Sequence, residues 1–204
     1  MEEFMPHIRL SKEQAAPHVL LPGDPQRLDR IAECLEDVKE LAYNREYRSL
    51  RGVYKGVPVM AVSTGIGGAS AAIAVEELVR IGVRNMIRIG SCGALQKGIR
   101  LGDLILVNGA VRDDGASVTY VDSIYPAIPD TELLAACMMS AEELGAKFHV
   151  GIARSHDSFY IDDEEAVSTY WRERGVLGSD METAALFVIG RLRGVKTASI
   201  LNTV

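Results

Sequence analysis

Three glycine-bearing segments of this chain each follow an apolar run, and each carries groups suited to holding an anion. In Gly23-Asp24-Pro25-Gln26-Arg27, a short strand gives way to a helix, so the Gly23 N–H and the Arg27 guanidinium could converge on one oxyanion. A plain strand-to-helix turn would read the same way. The glycines of Ser63-Thr64-Gly65-Ile66-Gly67-Gly68-Ala69-Ser70 would let the backbone come close to a ligand. Their spacing is not that of a dinucleotide fingerprint, because Ser70 stands where the third glycine belongs. Arg88 stands inside the apolar run Asn85 to Ile89, where a charge is costly unless it reaches solvent or meets an anion. Gly90-Ser91-Cys92-Gly93 follows and reads as a loop offering a hydroxyl and N–H groups at the carboxyl end of a strand. The three segments are expected to face one crevice.

Glu182, in Ser179-Asp180-Met181-Glu182 ahead of an apolar helix, is a carboxylate able to grip the vicinal hydroxyls of a sugar. Ser179 and Glu182 also have the spacing of a capping box, which by itself accounts for both residues. Arg45-Glu46 has the makings of a solvated surface pair. His7, His18, His149 and His156 are scattered without metal-ligand spacing, so no metal-binding histidine cluster is expected.

Short β-rich runs alternate with amphipathic ones along the chain, which predicts an α/β fold: a single domain over residues 1–204 with a mixed central sheet and helices on both faces. Strands are predicted at His18 to Leu21, Val57 to Ser63, Asn85 to Ile89, Asp103 to Val107, His149 to Ala153 and Lys196 to Asn202, with Tyr47 to Tyr54 forming a hairpin across Lys55-Gly56. Leu28, Ile31, Ala32 and Leu35 share one helical face after Pro25, and Ala71, Val75 and Leu78 share another. Further helices are predicted from Asp130 to Leu144 and from Met181 to Leu192, the last closed by Gly194. An α/β sheet ordinarily needs another helix after such a last strand, so the natural C-terminal helix is expected to be missing.

At 204 residues and a net charge of −6, the chain can build one good core and lacks the basic face a nucleic-acid partner requires. Its N-terminus lacks the pattern of a secretory signal, and no apolar run approaches membrane-spanning length. Cys34, Cys92 and Cys137 lie far apart and suit a reducing compartment. A cytoplasmic protein of small-molecule chemistry is expected, without nucleic-acid or membrane partners.

Taken in order, Pro22 to Arg27, Arg45-Glu46-Tyr47, Ser63 to Gly68, Arg88 to Ala94, Asp114-Gly115-Ala116-Ser117 and Met181-Glu182 resemble the nucleoside phosphorylase family, which includes uridine phosphorylases and the hexameric bacterial purine enzymes. The resemblance runs from His7 to the chain end. It implies that Gly23, Arg27, Arg88 and Ser91 bind phosphate, with Arg45 completing the cradle from a neighbouring subunit. His7 would reach the neighbour's ribose, Asp180, Met181 and Glu182 would contact the ribose, and Phe159 would lie against the base. Arg88, Glu182 and Arg27 would carry catalysis. Glu46, Ile66 and Ser70 match positions that hold a monovalent cation, K+ for example, between subunits in some relatives. No other cofactor is implied. A homodimer unit, three to a hexamer, is the expected assembly.

The resemblance also implies the reaction: phosphate attacks the anomeric carbon of a nucleoside while the base departs, through a transition state with oxocarbenium character. Two departures bear on the base. Phe159-Tyr160 runs directly into Ile161-Asp162-Asp163, without the inserted loop whose glutamine and arginine read uracil, and no acidic residue follows the last strand, where purine enzymes carry one. Ser63 to Gly68 and Asp114 to Ser117 look closer to uridine phosphorylases; Ser91-Cys92-Gly93 and the missing loop look closer to the purine enzymes. Uridine is favoured, with a purine nucleoside as the alternative. A hydrolytic nucleosidase or a non-catalytic nucleoside-binding module are further alternatives.

Overall fold

Seven of the strands form where Val, Ile and Leu runs predict them. The computed structural model, which describes residues 3–204, adds two more. Strand β1 (His18–Pro22) pairs in parallel with β4 (Val57–Val62) on one side and β5 (Asn85–Ala94) on the other. Strand β3 (Tyr47–Tyr54) turns into β4 through Lys55 and Gly56, both at positive φ, and β2 (Glu36–Asn44) pairs with β3 at the sheet edge. Beyond β5 lie β9 (Lys196–Thr203), parallel to it, then β6 (Leu104–Asp113), β7 (Phe148–His156) and β8 (Gly178–Asp180). Gly93 and Ala94 pair antiparallel with β8, so the five strands β5, β9, β6, β7 and β8 close on themselves. That pairing corrects the expected loop at Gly90 to Gly93, where β5 runs on to Ala94.

Six α-helices cover the sheet among the described residues: α1 (Arg27–Ala32), α2 (Gly68–Ile81), α3 (Gly115–Tyr120), α4 (Thr131–Glu143), α5 (Glu164–Arg172) and α6 (Thr183–Leu192). The Asp130 carboxylate caps α4 by accepting the Leu133 N–H at 2.9 Å, and α2 stops at Gly82, whose φ of 103° only glycine adopts freely. Helix α1 ends at Ala32, short of Leu35. Helix α6 is buried from Thr183 to Gly190, and α2 packs beside it with Ala71, Ala74, Val75 and Leu78 buried as well. Each large apolar side chain hidden there contributes roughly 1.5–3 kcal/mol. The core thereby fixes the junction of β8 and α6, where Asp180 to Glu182 stand.

A polar anchor lies at the opposite end of β6. Asp103 is buried and accepts His149 Nε2 at 2.9 Å, the Arg100 N–H at 3.1 Å and Lys147 Nζ at 3.1 Å. The His149 hydrogen bond, with these neighbours, holds its carboxyl well below the usual aspartate range. A depressed folded pKa contributes stability above the unfolded value, and that contribution is lost as pH falls through the folded one. Asp103→Asn should therefore lower Tm at about pH 7, with the gap to the parent narrowing on acidification in thermal melts. A gap independent of pH would contradict the assignment.

Candidate functional site

The carboxyl ends of β1, β4 and β5 meet at one place because the glycine segments are stitched together. Thr64 N–H donates to Pro22 O at 2.9 Å and Gly65 N–H to Gly23 O at 3.0 Å. Arg27, the first residue of α1, turns inward, donating from Nη1 to Ile89 O at 3.4 Å and from Nη2 to Ser91 Oγ. Arg88 is 5% exposed; its Nε donates to Asp180 Oδ2 at 3.0 Å and its Nη2 to Glu182 Oε2. Its Nη1 is buried with no partner among the described residues. A buried donor left unpaired costs about 1–3 kcal/mol, more when charged, so this guanidinium is built to meet an acceptor. Gly23, Arg27, Arg88 and Ser91 thus line one cleft, two cations and a hydroxyl among them.

Gly90 makes room for that arginine. A Cβ there would sit 2.7 Å from Arg88 Nη2 and 2.6 Å from Leu201 Cδ2. Gly90→Ala should displace the guanidinium and lower turnover about 10²-fold, as small misplacements of a positioning group do, while the fold survives. Steady-state kinetics beside a thermal melt check this, and unchanged kcat/KM would refute it.

Asp180 and Glu182 divide their work. Both oxygens of Asp180 are taken by protein donors: Ser155 Oγ at 2.6 Å, Thr183 Oγ1 at 2.5 Å, Thr183 N–H at 3.1 Å, and Arg88. Its carboxylate therefore aims Arg88 and holds the start of α6. Glu182 accepts the Gly67 N–H at 2.5 Å as well as Arg88. Burial pushes its carboxyl above the ordinary glutamate pKa, against the opposing pull of Arg88. The capping-box reading is corrected here: Ser179 lies in β8, Asp180 caps α6 through Thr183, and the Glu182 carboxylate turns away to Gly67 and Arg88. The Ser-x-x-Glu spacing arises because a strand and a helix meet there.

The cleft has a volume of about 910 Å³ and extends from the arginines past Met181 to Phe159, which is 70% exposed and edge-on to Tyr160. Cys92 lines it too, and burial pushes its thiol up to about 12, so it stays a neutral thiol and no nucleophile at physiological pH. Two polar residues of β7, Arg154 and His156, also face the cleft, as do Glu164 and Ser168 of α5. Sequence reading misses all four. Alternation along β7 was the available signal: Ala153 and Ser155 are buried on one face, which puts Arg154 and His156 on the other.

His7 and Arg45 do not line this chain's cleft. His7 is held by Glu77, with Nδ1 at 2.6 Å from Oε1, while Arg45 is exposed at the β2–β3 turn with φ of 56°. Asn44 Nδ2 donates to His7 O at 2.7 Å, so the two segments adjoin. Glu46 and Ile66 stand at the cleft rim, where Ser70 Oγ donates to Glu46 Oε1 at 2.8 Å.

Residues 17–203 match the phosphorylase superfamily. The chain belongs to that superfamily. A uridine phosphorylase of Thermococcus kodakarensis is 41% identical to it, over 95% of this chain and 74% of that protein. A guanosine phosphorylase of Halorubrum lacusprofundi is 39% identical, over 96% and 80%. The crystal structure of uridine phosphorylase from Vibrio fischeri ES114, complexed with 6-hydroxy-1-naphthoic acid, superposes with a TM-score of 0.97 at 49% identity, covering 99% of this chain and 83% of that one. The α/β architecture and mixed sheet expected of a superfamily member are thereby established. Among the described residues no helix is long and apolar enough to cross a membrane.

Proposed function

We propose that this chain catalyses the reversible phosphorolysis of a nucleoside, uridine favoured, giving free base and ribose 1-phosphate. One observation carries the reading: the buried Arg88 offers an Nη1 without a partner among the described residues, in the same cleft as Gly23, Arg27 and Ser91, and is clamped by Asp180 and Glu182. A phosphate oxygen forms the new bond to the anomeric carbon while the glycosidic C–N bond breaks, and its electron pair leaves with the base. Arg27 and Arg88 orient the dianion, Glu182 accepts the ribose hydroxyls beside Met181, and Phe159 lies along the base. No covalent enzyme intermediate is required, in keeping with the neutral Cys92.

His7 and Arg45 adjoin each other yet stand off their own cleft, which supports their donation to a neighbouring subunit in a homodimer unit, three of which would make a hexamer. Glu46, Ser70 and the Ile66 carbonyl would offer a monovalent cation an all-oxygen environment, suited to a hard ion such as K+. Three free cysteines, Cys34, Cys92 and Cys137, support a cytoplasmic setting.

A purine nucleoside is the second reading. It is favoured by the direct passage from Tyr160 to α5, without the uracil-reading loop, and by the purine nucleoside phosphorylase of Plasmodium vivax, 40% identical to this chain. Uridine and inosine supplied separately, with and without phosphate, test both. Base release that needs phosphate supports phosphorolysis and the faster substrate names the base, whereas release without phosphate would point to a hydrolytic nucleosidase.

A further inference from the structure

The base end of the cleft is lined by two polar side chains of complementary hydrogen-bonding character. Arg154 and His156 share a face of β7 and line the cleft with Phe159 and with Glu164 and Ser168 of α5. Arg154 donates from Nε to Asp113 Oδ2 at 2.7 Å, its Nη2 lies 2.7 Å from the same oxygen in the ion pair, and the Trp171 ring lies 5.9 Å from its Cζ. The guanidinium is thus fixed with Nη1 unpartnered among the described residues, a donor. His156 Nδ1 lies 3.0 Å from Ser158 O, and because a carbonyl oxygen only accepts, Nδ1 carries the proton. In the neutral ring Nε2 is then an acceptor.

We infer that Arg154 and His156 select nucleobases by a carbonyl adjacent to a ring N–H, the oxo edge shared by uracil, hypoxanthine and guanine. The inference rests on the phosphorylase reading and deepens it. Arg154 donates to the carbonyl and His156 accepts the neighbouring N–H. Adenine and cytosine present the reverse pattern, an amino donor beside an unprotonated ring nitrogen. Donor then meets donor and acceptor meets acceptor, with both protein groups left unpaired. The pair does the work of a base-reading loop from within the sheet, and it explains how one site could serve both uridine and a 6-oxopurine nucleoside.

The test compares kcat/KM, with phosphate, for uridine against cytidine and inosine against adenosine, in the parent and in His156→Ala. The parent should prefer the oxo member of each pair by about 10²-fold or more. In His156→Ala both ratios should fall about ten-fold or more through loss on the oxo side alone. Equal loss on all four substrates, or a parent that takes adenosine and cytidine as readily, would overturn the inference. Calorimetric binding of free uracil, hypoxanthine, adenine and cytosine to the parent decides the matter without turnover or a variant: preference for the first two supports it, and indifference overturns it. Absence of phosphorolysis with every nucleoside would instead sink the phosphorylase reading, and the calorimetry would still judge the base selection.

Discussion

Arg88→Ala is expected to lower phosphate-dependent kcat/KM by about 10³-fold, because it removes a charged donor aimed at the site of the nucleophile. The same substitution strips the partner from two buried carboxylates, Asp180 and Glu182. Breaking a buried pair in this way costs about 3–5 kcal/mol, so a fall in Tm should accompany the loss of activity. Arg88→Lys separates the two effects. It keeps the positive charge between the carboxylates, so most of the stability should return, yet an ammonium cannot span Asp180, Glu182 and a phosphate as a planar fork does. Its KM for phosphate should stay raised. Steady-state kinetics with phosphate varied, beside thermal melts of both variants, check this; near-normal activity in Arg88→Ala would sink the assignment.

Glu182→Gln should lower kcat/KM for uridine about 10²-fold, the loss of charged hydrogen bonds to the ribose hydroxyls. The loss should be smaller for 2′-deoxyuridine, which lacks one of those hydroxyls, and that difference is what a purely structural role for Glu182 would not produce. A pH effect follows. The accepting form is the carboxylate, and burial raises the Glu182 pKa above the ordinary glutamate value, so activity should decline on acidification at a higher pH than an exposed glutamate would allow. In Glu182→Gln that acid limb should vanish. An unchanged limb, or equal losses on the ribo- and deoxyribonucleoside, would remove Glu182 from the ribose site.

What could be read from the residues alone follows from where burial acts. Strands β1, β3, β4, β5, β6 and β9 carry apolar residues that enter the core, so their runs were legible, and β7 was legible from Val150 and Ile152 even though both stay exposed. Strand β2, Glu36-Asp37-Val38-Lys39-Glu40-Leu41 onward, lies at the sheet edge with its first half exposed, and its charges conceal it. Strand β8 is three residues long, too short to show any period, though it closes the ring of strands and sets Asp180 beside Arg88. Helix α5 has no fully buried residue, which left its share of the cleft invisible. Arg88 and Ser91 stand out because a charge or hydroxyl beside glycine at the end of an apolar run is costly without a purpose, whereas Arg27 and Glu182, which a plain turn and a capping box explain equally well, are singled out only by the resemblance. Arg154 and His156 do not stand out, since either residue at the end of a strand normally reaches solvent. The tertiary fold alone, which sets Phe159 and the α5 residues Glu164 and Ser168 in the same cleft lining, shows that these two side chains face a cleft.

The central claim is that phosphate, not water, attacks the sugar, and phosphorus NMR of the products from uridine and inorganic phosphate tests it most directly. A sugar 1-phosphate resonance growing in step with free base is the predicted result; free ribose with the inorganic phosphate signal undiminished would contradict it.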